Sequence, residues 1–109
     1  DGIAAVQALK ESKGFAVSVT DEEILEAMRV TARRESVFAE PAGAAPVAGL
    51  KKAAKAGLVK ASDTIVALVT GNGLKDTASA LKAAGSPHLI EPTLPELKKL
   101  VKKLSEVAR

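Results

Sequence analysis

The stretch Thr64–Asp76, TIVALVTGNGLKD, decides how the rest of the chain is read. Ile65 to Thr70 are apolar or β-branched without alternation, the pattern of a strand buried on both faces of a sheet. Such sheets are covered by helices. The run stops on Thr-Gly-Asn-Gly. In open α/β sheets ligands sit beyond the carboxyl ends of the strands, and Thr70 is at that end. Gly71 and Gly73 have no Cβ, so the backbone is free to take left-handed conformations and to lie against a flat ligand. The Thr70 hydroxyl donates or accepts one hydrogen bond, which suits a ring nitrogen or a polar ligand edge. The same tetrapeptide also serves as a plain strand-to-loop turn, and taken alone it favours that use, because Gly-rich turns are common. Neither the GxxxxGK[ST] phosphate loop nor the GxGxxG fingerprint is present.

Working outward, strands and helices alternate. Ile3 to Lys13 is expected to form a short amphipathic helix stopped by Gly14. Phe15 to Val19 is expected as a strand. Thr20 caps a helix from Asp21 to about Glu35, with Glu23 completing a capping box. Ile24, Met28 and Ala32 share one face of it. Pro41 is well placed to open the next helix, which is rich in Ala and Gly, and Pro46 is expected to kink it or shift its start. Lys75 to Ala84 is expected to be helical and to end at Gly85. His88 to Ile90 is a brief edge-strand candidate. Thr93 and Glu96 form a second capping box for the last helix, whose buried stripe is Leu97, Leu100, Val101 and Leu104. The expected fold is a layered α/β arrangement with a mostly parallel sheet and helices on both faces, without an internal boundary over residues 1–109.

Composition narrows the chemistry. The 109 residues include no Cys and one His, which excludes thiol nucleophiles and Cys-ligated metals. Aromatic residues are only Phe15 and Phe38, so the core must be aliphatic. The net charge is +3, with Lys98, Lys99, Lys102 and Lys103 in the last helix. Without aromatic or Arg clusters that run reads as a solvated face, and no nucleic-acid partner is expected. No apolar run approaches the ~20 residues of a membrane span, so no membrane partner is expected. Residue 1 is Asp rather than Met, which is expected of a piece of a longer chain or of a removed leader.

The other candidate residues have everyday uses. Glu40 is either an acid or ligand contact or a helix-start carboxylate. Lys75 and Asp76 could contact a phosphate or substrate but read better as a helix-start pair, and His88 reads as a surface loop residue. Ser36 has no His–Asp partner and is not a candidate nucleophile.

Taken together, VSVTDEEILEAMRVTARRESVFAEPAGAAPVAGLKK, TIVALVTGNGLKD and SPHLIEPTLPELKKLV resemble the carboxy-terminal part of the threonine synthase family, from Phe15 onward. The related serine and threonine dehydratases tend to carry Ser-Gly-Gly-Asn at the turn. The resemblance implies part of the large domain of a fold-type-II pyridoxal 5'-phosphate enzyme, a cytoplasmic lyase of threonine biosynthesis. Such enzymes convert O-phospho-L-homoserine and water to L-threonine and phosphate. It implies that Thr70 hydrogen-bonds the pyridine nitrogen of the cofactor and that Gly71, Asn72 and Gly73 line it. Glu40 and Ala42, in the EPAGA segment, are carried over as pocket neighbours.

The family's Schiff-base lysine motif and its Gly-Asn phosphate loop are absent. The expected partners are therefore the amino-terminal remainder of the enzyme and its small-molecule substrate, and the chain alone is expected to be inactive. Ser36 stands where the family usually has Gly before Val-Phe, and Pro46 interrupts the Ala-rich helix; both depart from the family pattern. A strand edge left bare favours homodimerisation. A non-catalytic binding module, a partner subunit and a fragment of a related dehydratase or cysteine-synthase-like lyase are the alternatives.

Overall fold

The computed structural model describes residues 2–107. Its elements are α1 (Gly2–Ser12), α2 (Asp21–Glu35), α3 (Pro41–Lys55), α4 (Thr77–Ala84) and α5 (Leu94–Val107), with a 3-10 turn at Gly73–Lys75 before α4. Helix α2 is the hub and packs against both α3 and α4.

Local chemistry explains the helix ends. Thr20 Oγ1 accepts from Glu23 N at 3.2 Å and Glu23 Oε2 accepts from Thr20 N at 2.8 Å, so the expected capping box is formed. The Glu23 carboxylate also meets Lys52 of α3 at 3.5 Å. The Thr20 amide, and then desolvation working against Lys52 and Lys55, set its titration, with a net fall below the ordinary 4.5. Helix α2 ends on Ser36, which takes a left-handed φ of 56°. Helix α1 stops one residue early, with Lys13 rather than Gly14 in the left-handed region at φ 54°. Gly14 N still closes the end by donating to Leu9 O at 3.0 Å. Pro41 opens α3 as expected, and the helix runs through Pro46 without interruption, so neither its start nor its continuity shifts. Pro46 lies exposed, and as the sixth residue of α3 it leaves the Ala42 carbonyl without its intrahelical donor.

The sheet is where structure and expectation part. Among the described residues no strand forms, and the isolated antiparallel bridge Ala39–Asn72 is the β pairing they contain. Residues 15–19, 64–70 and 88–90 run without regular structure. Thr64 to Thr70 is exposed throughout, with Val66 at 80% and Leu68 at 71%, where burial on both faces was expected. The reason is physical. A strand needs a neighbour to take up its N–H and C=O groups, and these segments do not pair with each other.

The core is correspondingly thin. It consists of Ala27, Met28, Ala39, Ala44, Ala48 and Ala83, with Val19, Ile24, Leu25 and Val47 packed on it. Of the expected α2 face, Met28 is buried while Ile24 and Ala32 are half-buried, and Ala27 and Thr31 complete it. A buried methyl contributes only about 0.8 kcal/mol, so an alanine core binds helices closely but weakly. The expected stripe on α5 is largely exposed. The radius of gyration is 18.2 Å, against about 13 Å for a compact domain of this length. No described helix is long and apolar enough to cross a membrane.

Two outcomes follow. Ser36→Gly removes the left-handed cost of a side chain and is expected to stabilise by about 0.5–1 kcal/mol, less than the full penalty because glycine loses more chain entropy. Thermal denaturation would show this as a rise of a few degrees. The lowered Glu23 means its stabilisation is present above its ordinary value and is lost as pH falls through the lower folded value. Unfolding of Glu23→Gln should therefore depend less on pH than the parent does as pH falls below the ordinary 4.5.

Candidate functional site

The bridge between Ala39 and Asn72 joins the start of α3 to the Thr-Gly-Asn-Gly turn. Glu40 N donates to Gly71 O at 2.9 Å, and Gly73 N donates to Phe38 O at 3.0 Å. Ala39, between them, is fully buried. Two segments singled out in the sequence, 40–44 and 70–76, are thereby placed side by side.

Small residues make this approach feasible. A Cβ on Gly43 would lie 3.1 Å from Gly71 O and 3.2 Å from Gly71 N, so helix α3 packs directly on the turn's backbone. A Cβ on Gly71 would collide with the Glu40 carboxylate, and one on Gly73 with the Phe38 ring. Neither Gly71 nor Gly73 has a positive φ. The two glycines are needed here for their size rather than for left-handed freedom, which corrects the expectation from sequence.

Beyond the turn, side chains organise the chain into α4. Asn72 Oδ1 accepts from Leu74 N at 2.9 Å. Asp76 Oδ1 accepts from Ser79 N at 3.0 Å and caps α4. The Ser79 amide is the main cause holding the Asp76 carboxyl below its ordinary value. Lys75 reaches back to Glu40 Oε1 at 3.2 Å. Arg29 ties α2 to the far end of α4, donating to Ala83 O at 3.3 Å while paired with Glu26 at 2.6 Å.

Thr70 is exposed at the end of the extended segment, immediately before the clamped Gly71. Asn72 is exposed and Gly73 buried. Ala42 is exposed and lines an apolar groove of about 460 Å³ with Phe15, Val17 and Val19. His88 is exposed in the segment before α5, as expected. No group of three or more His, Asp or Glu residues suited to a metal occurs among the described residues.

Phe38, Gly43 and the Lys75–Glu40 pair were not singled out as parts of one site. The Gly between Ala42 and Ala44 was the available signal for a close approach. The contact between residues 35 apart in sequence had none.

A threonine hydroxyl is chemically suited to a pyridine nitrogen. Thr70 is exposed and carries a hydroxyl able to donate or accept one hydrogen bond, next to a backbone tied down at Gly71. Thr70 would hold the ring nitrogen, and the turn's backbone would lie alongside.

Comparison with known proteins supplies the family. Residues 1–71 match the family described as pyridoxal-phosphate dependent enzyme. The chain is 44% identical over 100 residues to a threonine synthase of Methanocaldococcus jannaschii, covering 92% of this chain and 25% of that protein. It is 53% identical over 79 residues to one of Mycobacterium leprae, covering 72% of this chain and 22% of that protein. It is 50% identical over 91 residues to one of Mycobacterium tuberculosis, covering 82% and 25%. The chain thus spans about a quarter of the length of the curated relatives it matches. With residues 1–71 matched, the chain belongs to the pyridoxal-phosphate dependent enzyme family.

Proposed function

We infer that this chain is the carboxy-terminal part of a threonine synthase and forms the wall of the cofactor pocket that meets the ring nitrogen. The observation that supports this is the hydrogen bond from Glu40 N to Gly71 O at 2.9 Å, which fixes the backbone next to the exposed Thr70. Bound pyridoxal phosphate supplies an electron-withdrawing ring that stabilises negative charge developing on an amino-acid substrate. Thr70 donates to the ring nitrogen from a neutral hydroxyl, so it orients the ring without protonating it. Gly71, Asn72 and Gly73 give the ring a surface free of bulky side chains. The reaction is that of the named relatives, with O-phospho-L-homoserine as substrate.

In this reading the lysine and the phosphate cradle come from the remainder of the enzyme, so the chain alone is inactive. The remainder also supplies strands beside Thr64–Thr70 and Phe15–Val19, which completes a layered, mostly parallel sheet. The exposure of Val66 and Leu68 supports this, because large contiguous apolar surfaces are normally covered.

The test is Thr70→Val in the complete gene product. Losing one hydrogen bond to the ring is worth about 1–2 kcal/mol, so the cofactor should bind roughly 5- to 30-fold more weakly. Equilibrium dialysis followed by cofactor absorbance reads this directly. Unchanged affinity and an unchanged cofactor spectrum would refute the assignment.

A further inference from the structure

From sequence Lys75 is a helix-start charge or a contact to a phosphate or substrate, yet in the structure it makes the side-chain link between the two halves of the site. Glu40 is the N-cap residue of α3, but its carboxylate makes no capping hydrogen bond. A short N-cap side chain such as that of Asp accepts from the second or third amide of its own helix, and the longer Glu40 does not. Here the carboxylate turns away from α3, fills the space that a Cβ on Gly71 would need, and ends at Lys75 Nζ, 3.2 Å away. The Glu40 side chain is only 16% exposed, whereas that of Lys75 is 66% exposed. The carboxylate therefore sits inside, under the turn, with its cation at the rim.

An exposed lysine contributes little to folding, because solvent screens its charge. The pair matters instead for where the carboxylate stays. Without Lys75, Glu40 keeps its backbone bond to Gly71 but its side chain is free to swing onto the bare amides of α3. The space behind Gly71 would then empty, and the backbone carrying Thr70 would lose its support. We propose that Lys75 is a positioning residue: through Glu40 it holds the Thr70–Gly73 turn in the shape that receives the cofactor ring. This role rests on the proposed placement of Thr70 at the ring nitrogen.

The experiment compares Lys75→Met, Lys75→Arg and Thr70→Val in the complete gene product, by cofactor affinity, cofactor absorption spectrum and melting temperature. Lys75→Met is expected to weaken cofactor binding about 3- to 10-fold and to perturb the absorption band. Its melting temperature should stay within about 3 °C of the parent, since the lost pair is screened. Lys75→Arg keeps the cation and should return affinity to within about twofold. In the double variant Lys75→Met/Glu40→Gln the two losses should not add, because both remove one link. Parental affinity in Lys75→Met beside weakened binding in Thr70→Val overturns the inference and leaves the Thr70 assignment standing. Parental affinity in both overturns the assignment itself, and the inference with it. Weakened binding in Lys75→Met that Lys75→Arg fails to restore also overturns it.

Discussion

Two backbone hydrogen bonds govern the arrangement, from Glu40 N to Gly71 O at 2.9 Å and from Gly73 N to Phe38 O at 3.0 Å. They join segments more than 30 residues apart and fix where helix α3 begins relative to the end of the apolar run. Everything at the site depends on them. Gly43 must be bare because α3 meets the turn at backbone distance. Gly71 must be bare because Glu40 lies against it. Asn72 and Asp76 then start the 3-10 turn and α4, and α4 returns to α2 through Arg29. The reach from the turn to the hub is short and made of small, satisfied contacts.

The energetics point outward. A core of alanines around Met28 gives close packing but little apolar area, while Ile3, Phe15, Val66, Leu68 and Leu89 lie open. Such a balance is poor for a domain standing alone and natural for one layer of a larger body. The share of the relatives' length that the chain spans, about a quarter, fits that account.

The sequence was most legible where structure is local. The Thr20–Glu23 box, Pro41 at a helix start, Gly85 at a helix end and the Asp76 cap region are decided within a few residues. They were read close to where they stand, apart from one-residue shifts and the division of the Lys75–Ala84 helix into a 3-10 turn and α4. The strands were not realised, because the pattern of Ile65–Thr70 records a need for neighbours rather than their presence. Of the site, the Thr-Gly-Asn-Gly turn and the Glu40 segment were both visible as motifs. Their contact was not, since no spacing rule links Glu40 to Gly71 or to Lys75. Ser36 shows the opposite limit. It was noticed as a departure at a position where glycine is usual, and its left-handed backbone gives the physical reason for that preference.

The most direct test of the account is amide hydrogen exchange across Ile65–Val69, measured in the isolated 109 residues and in the complete gene product. If this run is a strand completed by the remainder of the enzyme, its amides should exchange near intrinsic rates in the isolated chain. In the complete protein they should be protected by a factor on the order of 1,000 or more. Equal, fast exchange in both would contradict the account, because the run would then have no strand neighbours even in the whole protein. Strong protection in the isolated monomer would contradict it as well, since the 109 residues would be building a sheet of their own.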